Sequence, residues 1–448
     1  MFFCVHLWFH KRMGSLKPVA REIFTETLAG IDVRAAVARG VGREGTRIRN
    51  GGGWLDLRDF QRIKVAAFGK AGFAMTQGLI EALGSEFRPE GVLSIPSVPP
   101  RPVPGIRVFQ GGHPTPNSAS LEAGGAVLDM LAEADTRTLV FFLLSGGGSA
   151  LLEQPLDPDV SLVDLQELNL RLVTCGAPIE EINAVRKHVS AIKGGRLAAG
   201  APAAMKITFG VSDVPEGRDS ALASGPTLPD PTTCADAYRV VEKYGLLGKL
   251  PAALRPAFEK RALVETPKAG DPAFARSRFE IVLGMKQLFD AAQHAVEARG
   301  FQCVRDNSTD DWLLGRAADF LLEKLAELKR ANPGKAAAVI ADGEVSSPVT
   351  GNGVGGRNSA MALYCVERIA GQNVTVLSAG TDGVDGNSPA AGAVVDGETL
   401  ARARSAGLDP ADFSQRSDAY SFFQRLGDAI ETGPTGNNLR DLRILLLG

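Results

Sequence analysis

Two stretches of this chain bring glycines and cations together in a pattern suited to holding an anion. In Val140–Glu153 the apolar run Val140–Leu144 passes straight into Ser145-Gly146-Gly147-Gly148-Ser149, and Ala150-Leu151-Leu152 then reads as the start of a helix. A strand, a glycine turn and a helix start present unpaired backbone N–H groups at the positive end of a helix dipole, a general seat for phosphate or carboxylate. The glycines let a ligand reach the backbone with no Cβ in the way. The competing reading is a tight turn without a ligand. Lys70, framed by Gly69 and Gly72 after the strand-like Arg62–Phe68, would stand at a sheet edge as a point charge for phosphate. A P-loop is excluded, because Lys64 occupies the place of its first glycine and Ala71 that of its Ser/Thr.

The second stretch ends in Arg357, where a glycine loop meets a helix start, with Gly355, Gly356 and Asn358 beside it. A planar guanidinium fork there suits a carboxylate or phosphate. Gly351, Gly353 and Gly356 also spell GxGxxG, but the preceding strand ends near Ala341, too far back for the dinucleotide turn. Asp213, Asp219, Glu344, Asp382 and Asp385 are loop carboxylates. Magnesium with a nucleotide takes one or two carboxylates, and a general base requires another. Asp382 and Asp385 could equally form Asx-turns. Lys193 belongs to a run of cations, Arg186, Lys187, His188, Lys193 and Arg196, that holds the pair Gly194-Gly195 and reads either as a ligand contact or as a solvated face. His113, between Gly112 and Pro114, reads as structural, and His188 is open. Ser145 and Ser149 lack the GxSxG elbow of a hydrolase.

These groups fall at the ends of segments that alternate strand and helix. Arg62–Phe68, Val92–Ile95, Arg107–Gln110, Val140–Leu144 and Met205–Val211 read as strands, separated by helices at Phe73–Leu83, Ser118–Ala134, Leu162–Cys175 and Ile179–Ala199. Such alternation predicts a doubly wound α/β domain, whose ligands bind beyond the carboxyl ends of the strands. Nearly every glycine-rich or charged cluster named above lies at such an end. A boundary is expected at Ala269–Ser277, dividing residues 15–270 from a second α/β domain of residues 277–448 that ends in a strand at Leu439–Leu447.

Composition narrows the partners. With 448 residues, two domains are expected. A net charge of −2 gives no reason to expect a nucleic acid or an anionic membrane as partner. No stretch approaches the roughly 20 apolar residues of a membrane span. Five dispersed cysteines without a CxxC pair fit a reducing cytoplasm better than a disulfide framework or a zinc site. The opening MFFCVHLWFHKR is unlike a signal peptide, and MGSLKPVAREIF suggests that translation starts at Met13.

As a set, the segments AAFGKAGFAM, GGHPTPNSAS, LLSGGGSALLEQP, INAVRKHVSAIKGGRLA, SDVPEGRDSALASGPTLPDPTT, GNGVGGRNSAMAL, SAGTDGVDGNSPAAGAVVDG and TGPTGNNLRDLRILLL resemble class II glycerate 2-kinases of the MOFRL family, long labelled hydroxypyruvate reductases. They cover nearly everything from Lys17 onward; Asn437 stands where Thr is common, and the first dozen residues have no counterpart. The resemblance implies a Rossmann-like N-terminal domain and a smaller MOFRL-type α/β domain with the active site in their cleft. It further implies ATP- and Mg²⁺-dependent phosphorylation of D-glycerate at the 2-hydroxyl, in a chain that could form a homodimer. Its functional lysine falls on Lys70 and its arginine on Arg357, where they would stabilise the transferring phosphoryl group. Asp213 is then the candidate base, Asp382 and Asp385 the candidate metal ligands, and residues 145–149 the seat for phosphate or carboxylate. An NAD(P)H-dependent hydroxypyruvate reductase is the alternative kept open by GxGxxG.

Overall fold

The computed structural model describes residues 15–99, 101–214, 217–436 and 439–448; Met13, the expected start, and Asn437 lie outside them. The chain divides into two compact units, one of Asp32–Met285 with Gly436–Leu439, the other of Met1–Ile31, Lys286–Thr435 and Arg440–Gly448.

The first unit opens with the helix Val33–Val41, followed by a hairpin, β1 (Arg47–Asn50) and β2 (Gly53–Asp56). Gly51-Gly52 forms its two-residue turn, with Gly51 at φ +60°. Six strands then build one parallel sheet: β3 (Arg62–Phe68), β4 (Glu90–Ile95), β5 (Ile106–Gln110), β6 (Thr138–Ser145), β7 (Met205–Val211) and β8 (Ser277–Leu283). Their order across the sheet is β5-β4-β3-β6-β7-β8, and every neighbouring pair is parallel. β6 and β7 are buried along their whole length, and β6 accordingly carries the unbroken apolar run Leu139–Leu144. The chain winds outward from β3 in one direction and from β6 in the other. The order therefore reverses between β3 and β6, the place where open α/β sheets form a ligand crevice.

The second unit carries β9 (Gln302–Asp306), β10 (Ala337–Asp342), β11 (Val374–Gly380), β12 (Gly392–Asp396), β13 (Ala429–Ile430) and β14 (Asp441–Leu447), ordered β13-β12-β11-β14-β10-β9. Only β9 and β10 are parallel neighbours; the final strand β14 inserts antiparallel between β10 and β11.

Three expectations are corrected. β8 is the edge strand of the first sheet, so that unit runs to Met285 rather than to residue 270. The N-terminal helix Lys17–Gly30 belongs to the second unit, where the Lys17 ammonium lies 2.7 Å from Asp428 and 3.4 Å from Asp396. The single cationic helix expected at Ile179–Ala199 is broken after Val189. Ser190 is extended and bridges to Pro155, and Gly194 and Gly195 adopt φ +60° and +83°, so the chain leaves the helix there.

Candidate active site

The crevice between β3 and β6 is formed by two loops stitched together. The Lys70 amide donates to the Gly146 carbonyl at 2.9 Å, and the Ala71 amide donates to the buried Ser145 Oγ at 3.0 Å. Any Cβ on Gly69, itself at φ +122°, would collide with Ser145. Sequence thus fixes two glycine loops, and sheet order places them side by side. A third loop closes on them, since a Cβ on Gly147 would lie 2.8 Å from His113 Cδ2 and 3.5 Å from Lys70 Cγ. The side chains of Lys70 and His113 therefore converge on Gly147. His113, read from its sequence context as structural, thus lies beside Gly147, in the turn that follows the carboxyl end of β5.

The amides of Gly146, Gly147, Gly148 and Ser149 have no acceptor among the described residues. Four consecutive open N–H groups beside a lysine make a cationic nest. The helix that follows is one turn, Gly148–Leu151, so these local N–H groups supply most of the field and a long helix dipole is not involved. Ser149 Oγ lies 2.9 Å from Ser224 Oγ, which donates to Asn183 Oδ1 at 3.1 Å. Asp213 is half-buried just beyond β7, the strand next to β6.

Lys193 has a different place from the one expected. It is fully buried and paired with Glu153, whose carboxylate also accepts from Ser190 Oγ at 2.6 Å. Burial pulls the Lys193 pKa down to about 8, opposed by Glu153. It is a core ion pair, with the Lys193 side chain shut away from solvent. His188 is likewise structural, held at Nδ1 by the Ala184 carbonyl at 2.7 Å and at Nε2 by Glu265 at 2.9 Å.

The second unit gathers the other predicted residues at the edge shared by the end of β10, the end of β11 and the start of β14. Arg357 opens the helix Arg357–Arg368. Asp441 grips it at Nε, 2.5 Å, and Nη2, 3.3 Å, while Glu344 lies 2.9 Å from Nη2. Burial alone would lower the guanidinium pKa, and Asp441 and Glu344 more than reverse this, holding it above its ordinary value. Nη1 has no acceptor among the described residues and is the group left to meet a ligand.

The glycine loop before Arg357 is not a phosphate cradle, which corrects the reading of Gly355, Gly356 and Asn358. The Gly355 amide donates to Asn387 Oδ1, that of Gly356 to Ser359 Oγ and that of Asn358 to Asp385. The Asn358 side chain is buried and accepts from Ser378 Oγ at 2.7 Å. Gly351 and Gly353 allow close backbone approach of residues 416–418, because a Cβ on either would come within 2.5 Å of Arg416 O or Asp418 Cβ. GxGxxG here is a packing device for neighbouring loops.

Asp385, expected as a metal ligand, is buried and caps the helix Arg357–Arg368. Its Oδ1 accepts from the Asn358 amide at 3.0 Å, and its Oδ2 from the Ser359 amide at 2.8 Å and Ser359 Oγ at 2.6 Å. Burial raises its pKa, against these hydrogen bonds. With both oxygens spent, it does not fit a magnesium site alongside Asp382, which is half-buried and accepts from the Val384 amide in an Asx-turn. Deeper in the same sheet edge, Asp342 is fully buried with Oδ1 unpartnered, and burial pushes its carboxyl up to about 6 despite Arg440.

Two family models match the chain in succession. Residues 19–259 match the family model described as a domain of unknown function, DUF4147, and residues 337–441 match the MOFRL family. The chain is 35% identical over 396 residues to the D-glycerate 2-kinase of Thermotoga maritima, covering 88% of this chain and 92% of that protein. It is 33% identical over 447 residues to a putative hydroxypyruvate reductase of Agrobacterium vitis, covering 97% and 95%. The crystal structure of a glycerate kinase from Thermotoga maritima superimposes with a TM-score of 0.83 at 33% identity, covering 97% of this chain and 99% of that one.

Proposed function

We propose that this chain, which belongs to the family that joins a DUF4147 domain to a MOFRL domain and includes the D-glycerate 2-kinase of Thermotoga maritima, transfers the γ-phosphoryl group of ATP to the 2-hydroxyl of D-glycerate. The single observation that carries the reading is the nest of four open amides, Gly146 to Ser149, stitched to the Lys70 loop at the sheet's switch point. Phosphoryl transfer asks a protein mainly for positioning and for neutralisation of charge. Within the first unit the amides and the Lys70 ammonium are suited to phosphate oxygens; within the second, Arg357 is a cation held in place by Asp441. Asp213 is the residue assigned to receive the proton of the attacking hydroxyl. The new O–P bond forms at the 2-oxygen of glycerate as the bond from the γ-phosphorus to the β-bridging oxygen breaks, releasing ADP. Mg²⁺ is expected with the nucleotide, and Asp385, with both oxygens occupied, does not fit as its ligand.

Hydride transfer has no comparable support. The glycines that suggested a dinucleotide fingerprint are occupied by residues 416–418 and 385. Phosphorus NMR of the protein with D-glycerate, ATP and Mg²⁺, run beside Lys70→Ala, tests the proposal. A 2-phosphoglycerate signal lost in the variant is the expected result. NADH oxidation with hydroxypyruvate and no phosphoester would overturn it.

A further inference from the structure

The buried ion pair behind the amide nest leaves one charge unbalanced. Glu153 carries one negative charge, and both of its oxygens are occupied: Oε1 by Ser190 Oγ and the Gln154 amide, Oε2 by Lys193. Lys193 cancels that charge. The guanidinium of Arg186 lies in the same electrostatic neighbourhood, where burial lowers its pKa and Glu153 opposes the effect. Yet Arg186 is half-buried and makes no hydrogen bond or ion pair to any described residue. A guanidinium offers five N–H donors in a fixed fork, and taking such a group partly out of water without an acceptor is costly. Its neighbour one turn back on the same face, Asn183, reaches the nest directly through Ser224 and Ser149. An unsatisfied fork carrying the group's net positive charge thus sits on the helix face that is tied to the anion nest.

We propose that Arg186 is a specificity-determining residue that binds the carboxylate of the hydroxy-acid substrate, leaving the amides and Lys70 to the phosphoryl group. The assignment rests on the kinase reading for its substrate. The planar fork matches a carboxylate bidentately, and a single surplus positive charge matches a monoanion. This gives the site a physical means of rejecting uncharged polyols, which would leave the guanidinium unpaired.

Calorimetric titration of D-glycerate, glycerol and ATP, each alone, into the full-length wild type, Arg186→Gln and Arg186→Lys separates this proposal from the kinase reading. Arg186→Gln should bind D-glycerate about 50-fold more weakly or worse, and should lose the preference for glycerate over glycerol. Arg186→Lys should recover part of the affinity, because it restores charge without the fork. ATP affinity should stay within about twofold in both. Thermal unfolding should show both variants folded, since removing Arg186 leaves the Glu153–Lys193 pair neutral. Unchanged glycerate affinity in Arg186→Gln, no glycerate binding by the wild type, or a loss confined to ATP would each overturn the proposal. If glycerate binding depends on Arg186 but the wild type forms no phosphoester, Arg186 stands and the kinase reading fails.

Discussion

Gly147 is where the nest can be disturbed by a single methyl group, and a matched control separates backbone strain from crowding at the site. Gly147 has φ +80°, as does Gly176. Replacing either by Ala forces an L-residue into the left-handed region, at a cost of about 1–2 kcal/mol. Around Gly176 nothing lies within 4 Å of an added Cβ, so that variant pays the backbone cost alone. At Gly147 the Cβ also lands 2.8 Å from His113 Cδ2 and 3.0 Å from Nε2. Restoring ordinary contact requires the His113 ring or the nest to move by roughly half an ångström. A misplacement of about 1 Å at a reacting centre costs about a hundredfold, so Gly147→Ala should lose roughly ten- to a hundredfold in kcat/KM. Gly176→Ala should lose a few degrees in Tm and keep its kcat/KM. ADP release in a coupled assay with D-glycerate, together with scanning calorimetry of both variants, measures the two effects separately. Equal turnover in the two variants would refute the idea that residues 146–149 hold the reacting phosphate.

Asp385→Ala removes the acceptor for two helix amides and should cost about 1–2 kcal/mol of stability, read in urea melts, while the Mg²⁺ dependence of turnover stays that of wild type; a shifted metal dependence would return Asp385 to the metal site. Glu153→Ala strands Lys193 in the core and should destabilise the first unit by about 3–5 kcal/mol, whereas a urea midpoint like wild type's would show that the pair is not a closed unit. Asp342 has a carboxyl raised to about 6 in the fold, so the folded state holds its proton more tightly than the unfolded chain. Its contribution to stability is therefore present below about pH 4 and lost as pH rises through about 6. Stability measured for Asp342→Asn relative to wild type should accordingly improve between pH 4 and pH 7, and a pH-independent difference would show that Asp342 ionises normally.

Sequence by itself determined the strand–helix alternation, the parallel first sheet and the two glycine loops at Gly69 and Ser145–Ser149. These are local properties: buried parallel strands must be continuously apolar, and a loop that approaches a ligand or another backbone must lack a Cβ. The same local rules could not tell an open amide from an occupied one. Ser145–Ser149 and Gly355–Asn358 look alike as glycine loops beside a cation, but among the described residues the amides of 146–149 meet no acceptor, whereas Asn387, Ser359 and Asp385 take those of Gly355, Gly356 and Asn358. Nor could they show that Lys193 would be neutralised by Glu153, that the N-terminal helix would join the second unit, or that the final strand would insert between β10 and β11. Those outcomes depend on partners far away along the chain. Tertiary packing alone decides which charges and amides are spent inside the protein and which are left for a ligand.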